Sequence, residues 1–224
     1  MARLLFAFMR TFFAYLVEQD IIKTSPMSDL KAPKASDKRD RYLQKAEIKI
    51  FWNAASQLKP PYQQFYKLAL LTGARNETEL AQAKWEKFNL VERVWLIPAN
   101  RCKNKQQHIV HLSQLAIDVL NSLPRTSDYM FAGYNGEPFN TFSYIKKKFD
   151  KHAKLENFRL HDARRSFGSW CNELGVPIEV IELCLNHKSG ERSGIKGVYN
   201  CNLKLEARTQ AFDLWGSFVD ECAA

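Results

Sequence analysis

Apolar positions change period several times along the chain, and each change marks an element. In the opening stretch, ARLLFAFMRTFFAYLV, the residues Leu5, Phe8, Met9, Phe12, Phe13 and Leu16 recur at the spacing of one helix face. Similar patterns cover Lys45–Leu58 and Tyr62–Leu71. The second is halted by Gly73, the residue type that best accepts the left-handed turn after a helix. A further helix is expected to begin near Asn76 or Thr78. The period then shortens: Val94–Leu112 holds two β-prone runs around a polar, basic turn, which predicts a hairpin. Helical spacing returns in Leu160–Leu174, where Phe167, Trp170, Cys171 and Leu174 form a stripe that stops at Gly175. Pro177 then opens the next helix in its first turn. Near the end Phe212, Trp215, Phe218 and Val219 share a face that suits either the chain's own core or a partner protein. The predicted class is α+β, mainly α, with a small antiparallel sheet.

Between the first helix and the next predicted one lies KTSPMSDLKAPKASDKRD, Lys23–Asp40, with two prolines, many charges and few large apolar residues. Such a composition predicts a linker. A lone helix cannot form a core, so residues 1–22 are expected to be the last helix of an upstream domain, 23–40 a linker and 41–224 one compact domain without repeats. Arg3 before an apolar run has the look of a secretory signal. However, Arg10 interrupts the run and no small-residue cleavage site follows. No apolar stretch is long enough to cross a membrane.

Composition adds a partner class. The chain has 224 residues, 46% of them hydrophobic, enough for a real core. Lys+Arg number 33 against 24 Asp+Glu, a formal net charge of +9, so the field favours polyanions and nucleic acid comes first. The five cysteines are odd in number and lack CxxC spacing, which suits reduced thiols in a cytosolic protein. His108 and His111 lie three apart on a predicted strand and should face opposite sides, a poor pair for a metal.

Candidate chemistry sits in four places. In HDARRSF, His161 has Arg164 three residues on and Arg165 four residues on, so helical spacing alone does not choose between the arginines. In LLTGARNETEL, Arg75 leaves from a turn directly after the helix-ending glycine. There it can serve function or simply cap the last carbonyls. Lys103 stands in the hairpin turn beside Arg101 and Lys105, in a loop that solubility alone would explain; beside a phosphate, its ammonium could protonate a leaving oxygen. Finally, LNHKSGERSGIKGVYN places His187 and Tyr199 at the ends of a glycine-containing basic stretch.

Taken together, Arg75, Lys103, His161-x-x-Arg164, His187 and Tyr199, in that order, resemble the tyrosine recombinase (phage integrase) family. The stretches TGARNETEL, HDARRSF, NELGVPIEVIELCLNHKSG and GVYN look closest to its prophage and genomic-island branch. The resemblance runs from about Arg41 to Asp220, and residues 1–22 look like the end of that family's core-binding domain. It implies the DNA breaking-rejoining catalytic fold. It also implies a nucleophilic Tyr199 that forms a 3′-phosphotyrosyl link, with Arg75 and Arg164 on the non-bridging oxygens. Lys103 would be the general acid to the 5′-oxygen, His161 would assist proton transfer and His187 would hydrogen-bond the phosphate. No metal or cofactor is implied, because side-chain cations supply the charge. Double-stranded DNA attachment sites are the implied partner, with a tetramer on DNA and accessory DNA-bending or excisionase proteins; free in solution a monomer is expected. The implied location is cytoplasmic and nucleoid-associated.

Two departures from the family pattern carry expectations. The acidic residue that usually follows the first arginine by three positions falls four later, at Glu79, with Glu77 as a rival, so a one-residue adjustment is expected at that helix start. The family's upstream DNA-clamping domains are reduced here to a single helix, so cleavage by this chain is expected to be weak. The competing reading is a non-catalytic helix-turn-helix DNA-binding module, with RRSFGSWCNELGVPIEVIELCLNHKSG as helix, glycine turn and helix.

Overall fold

The computed structural model describes residues 2–34, 39–187 and 204–224. The chain divides into two compact units, Met1–Asp40 and Arg41–Ala224.

The first unit holds α1 (Ala2–Glu18), followed by turns in which Ser25 accepts from the Met27 amide and from the Ser28 hydroxyl. The expected apolar spacing is present in α1, yet none of its residues is buried, and Leu4 and Phe8 are 74% and 66% exposed.

The second unit is mostly helical: α2 (Lys45–Ser56), α3 (Tyr62–Thr72), α4 (Gln114–Asn121), α5 (Phe142–Ala153), α6 (His161–Glu173), α7 (Ile178–Cys184) and α8 (Leu205–Ala223). A three-stranded antiparallel sheet, β1 (Phe88–Asn89), β2 (Val94–Ile97) and β3 (His108–His111), runs in the order β1-β2-β3. β2 and β3 form the expected hairpin, with Trp95 opposite Val110 and Ile97 opposite His108. The expected helix after Arg75 is a single π-helical turn, Asn76–Leu80, closed by the Ala81 amide on the Asn76 carbonyl at 2.9 Å.

Aromatic groups help to fill the core, among them one of Phe65, Phe131 and Phe139. Phe51, Tyr66, Phe149 and Phe158 join α2, α3, α5 and the loop after α5, with the Tyr66 and Phe149 rings stacked at 4.4 Å. Around α8, Phe212 meets Phe167 at 5.0 Å, and Trp215 is fully buried with its indole N–H on the Leu70 carbonyl. The apolar face of α8 is therefore spent on the chain's own core: Phe212 and Trp215 are buried and Phe218 lies on Trp170. The helix comes close to the N-terminus of α4 at Gly216, where a Cβ would collide with the Ser113 side chain. Ser113 in turn caps α4 by accepting from the Ala116 amide.

Candidate active site

Gly73 ends α3 in the left-handed conformation (φ 58°), and Arg75 leaves the turn that follows. Arg75 does not cap the α3 carbonyls. Its Nη1 donates to Glu79 Oε1 at 2.5 Å and its backbone amide donates to Glu79 Oε2 at 2.8 Å. Glu79 is 1% exposed while Glu77 is exposed, so Glu79 is the buttress. The π turn explains how. Its wider i→i+5 closure absorbs the extra residue between arginine and glutamate and still returns the carboxylate over Arg75.

Arg164 takes the capping position instead. It is buried in the first turns of α6, with Nη1 donating to the Gly73 carbonyl and Nη2 to the Leu185 carbonyl. Burial, followed by the nearby Arg75 cation, pushes its guanidinium down to about 10. Two guanidinium groups within electrostatic reach of each other, with the one buried carboxylate of Glu79 paired to Arg75, make a place where an anion is favoured. Arg165 is half-buried on the same helix and makes neither of these contacts.

α6 starts at His161 and is fixed from below. Buried Asp162 accepts from the Arg159 amide, and the Ser166 hydroxyl accepts from the Leu43 amide. His161 itself is exposed to solvent on its cleft side, and partial desolvation by the surrounding protein, then Arg164, Arg165 and Arg75, pull its pKa below the usual histidine value. The neutral form favoured by this shift can accept a proton.

Arg75, Lys103 and His161 line one open cleft of about 560 Å³, together with Thr78, Phe142 and Lys146. Lys103 arrives there on the β2–β3 turn, and its neighbours do the anchoring. Arg101 donates to the carbonyls of Thr78, Glu79 and Gln82, tying the hairpin to the π turn. Asn104 pairs its carboxamide with that of Asn186. Lys103 is exposed and makes no side-chain hydrogen bond among the described residues.

His187, the residue after Asn186, is exposed, with Nδ1 at 3.0 Å from Glu182 Oε1. Neither His187 nor Arg164 is on the cleft wall. Tyr199 lies outside the described residues. Arg101, Asn104 and Asn186 carry no short-range sequence signal, because their partners are distant in the chain, whereas Glu79, the acidic residue expected with Glu77 as its rival, is the one that pairs with Arg75.

His108 and His111 do face apart on β3: His108 Nε2 donates to the Cys184 carbonyl, whereas His111 Nδ1 meets the Thr209 hydroxyl at 2.9 Å. Among the described residues no group of three His, Cys, Asp or Glu side chains could hold a metal ion. The four described cysteines are buried and free, and burial pushes the Cys102 thiol up to about 11 and Cys184 up to about 12. Among the described residues no helix is long and apolar enough to cross a membrane.

The helix-turn-helix reading meets α6 and α7 joined at Gly175 (φ 85°). α7 has seven residues, with Val180, Ile181 and Cys184 buried, and its outward side carries Glu179 and Glu182 without a lysine or arginine. A helix meant to enter a groove would present cations to the phosphates flanking it.

A helical domain with a three-stranded sheet, two arginines from a π turn and a helix start, and a lysine on a hairpin has the fold of tyrosine recombinase catalytic domains. An integrase from mycobacterium phage Brujita superposes with a TM-score of 0.64 at 17% identity, covering 98% of this chain and 76% of that one. A lambda integrase dimer bound to a COC′ core site superposes at 0.64 and 18% identity, covering 84% and 56%. The Phage integrase family model matches residues 41–195, and the chain belongs to that family. Prophage integrase IntZ of Escherichia coli (strain K12) is 26% identical over 220 residues, 95% of this chain and 54% of the relative. The integrase of Shigella phage Sf6 is 26% identical over 148 residues, 64% of this chain and 38% of the relative. The chain thus spans about half or less of the length of these relatives.

Proposed function

We propose that this chain is the catalytic part of a site-specific DNA recombinase that cleaves and rejoins double-stranded DNA through a 3′-phosphotyrosyl intermediate. The observation that carries this reading is the convergence of Arg75, Lys103 and His161 on one cleft, with Arg164 held against the same turn as Arg75. In the proposed reaction the Tyr199 oxygen bonds to phosphorus and the bond to the 5′-oxygen breaks. The tyrosyl proton leaves by way of His161, and Lys103 gives its proton to the 5′-oxygen. Arg75 and Arg164 bind the non-bridging oxygens as charge grows on them, and His187 hydrogen-bonds the phosphate. Rejoining is the reverse attack by the freed hydroxyl, so no nucleotide is consumed. In this reading residues 1–22 are the last helix of a core-binding domain, 23–40 a linker and 41–224 the catalytic domain.

The lambda integrase neighbours are described as a dimer bound to a core site and a tetramer bound to a Holliday junction. By analogy, this protein acts as a tetramer on its attachment sites, in the cytoplasm near the nucleoid, with accessory DNA-bending or excisionase proteins as further partners. The absence of cations on α7 argues against the helix-turn-helix alternative.

The test mixes purified chain with a pool of nicked duplexes whose short cleaved end diffuses away. An SDS-resistant protein–DNA band is expected, absent with Tyr199→Phe. DNA binding with no band, even after the chain is joined to the upstream portion of a relative, would reject the enzyme reading.

A further inference from the structure

We propose that Asn104 and Asn186 are positioning residues that hold the Lys103 ammonium where it can reach the leaving oxygen. This rests on the recombinase reading above and names a part of the site that the reading does not contain.

The two side chains, 82 residues apart, pair reciprocally: Asn104 Nδ2 donates to Asn186 Oδ1 at 2.6 Å, and Asn186 Nδ2 donates to Asn104 Oδ1 at 3.3 Å. The orientation of the Asn104 amide is set independently, because the Gln106 backbone amide, which can only donate, meets its Oδ1 at 3.1 Å. Asn186 stands just past α7 with φ 50°, a left-handed conformation that asparagine tolerates better than most residues. Its neighbour Leu185 gives its carbonyl to Arg164, and His187 follows. Of three consecutive residues, Leu185 thus holds Arg164, Asn186 holds the lysine turn, and the third is His187.

The other side of the lysine turn is anchored by Arg101 to the carbonyls around Glu79, the partner of Arg75. Preceded by the buried Cys102, Lys103 lies between these two anchors. One joins it to the Arg75 turn and the other to the segment that holds Arg164. An exposed lysine on a flexible stem reaches many places, and fixing its Cα from both sides narrows the volume its ammonium samples. The carboxamide pair adds no net charge beside the phosphate.

Asn186→Gly is the clean variant, since glycine keeps the left-handed backbone and deletes the carboxamide. Asn104→Ala removes the other half. Hydrogen exchange of the free full chain is expected to quicken about tenfold at the Lys105 and Gln106 amides in Asn186→Gly, and at the Lys105 amide in Asn104→Ala, where Gln106 also loses its own acceptor, with α3 and α6 unchanged. Unchanged exchange in the turn would overturn the proposal. Single-turnover cleavage is then compared on an adduct-forming nicked duplex and on the same duplex with sulfur as the bridging 5′ atom, whose thiolate leaves without a proton. On the oxygen substrate the variants are expected to cleave about 100-fold more slowly than wild type, the scale of a displaced catalytic group. On the sulfur substrate they should come within about threefold, because general-acid catalysis is no longer needed. Equal losses on both substrates would show that the pair acts on something other than Lys103. A wild-type chain that forms no adduct on either substrate would count against the recombinase reading, while the exchange measurement would still decide whether the pair holds the turn.

Discussion

Arg75 shows how much a single side chain depends on its partner. An arginine on a turn normally samples many rotamers, but here both its backbone and its guanidinium are bound to the carboxylate of Glu79, which is 1% exposed. The pairing uses one guanidinium nitrogen on Glu79, and Arg75 also lines the open cleft, where its other donors can bind an anion. Replacing Glu79 by glutamine keeps the volume and removes the charge, so Arg75 loses a charge-assisted hydrogen bond worth about 1.5–3 kcal/mol. Single-turnover cleavage by Glu79→Gln is expected to be slower than wild type by about 10- to 100-fold, with a much smaller loss for Glu77→Gln. Equal losses in the two variants would remove Glu79 from this role. The four-residue offset between Arg75 and the glutamate was legible as an anomaly in the sequence. The π turn that resolves it was not, since its i→i+5 closure depends on the fold around it.

Elements show the same division between local pattern and distant contact. The helix ending at Gly73, the β2–β3 hairpin and the α6–Gly175–α7 junction follow from periodicity and glycine placement, which are local, and so could be read directly. Arg164 and Gly73 are 91 residues apart and Asn104 and Asn186 are 82 apart, so no short-range spacing reports either contact. Spacing also left Arg164 and Arg165 tied, and only the burial of one against two carbonyls separates them. α8 belongs to the same class: its apolar face was readable, but which surface it covers was not. Gly216 measures how tightly it sits, because a methyl there meets Ser113 at the start of α4. Gly216→Ala is expected to destabilise the chain by about 1–3 kcal/mol, the usual cost of overpacking, outweighing alanine's better helix propensity. Urea unfolding would show this as a lower midpoint at unchanged slope, and a midpoint at or above wild type would mean that α8 can shift outward without loss.

Over the whole molecule the charge is already +9 with the histidines neutral, and two of those histidines are held where a further proton is unwelcome. Burial, then Arg208 and Arg164, push the buried His108 down to about 3, and burial and Arg208 push the half-buried His111 down to about 4. The cysteine backbone carbonyl accepting from His108 opposes this shift only weakly. An unfolded chain titrates both rings near 6.5, so between that pH and the folded values the unfolded state binds more protons than the folded one. Protons therefore favour unfolding in that window: the stability contributed by neutral His108 is complete above about 6.5 and is lost as the pH falls toward about 3. His108 alone sets a limiting slope of about 1.4 kcal/mol per pH unit, with a smaller, solvent-screened addition from His111. Unfolding midpoints measured from pH 7.5 down to 4.5 are expected to fall steadily once below 6.5. His108→Gln, which retains a donor for the Cys184 carbonyl, should flatten that fall while lowering stability at pH 7.5 by less than the wild type loses on acidification. An acid response identical in the two proteins would place its origin in the general excess of positive charge, and the +9 surface, not the buried ring, would then be what limits this fold at low pH.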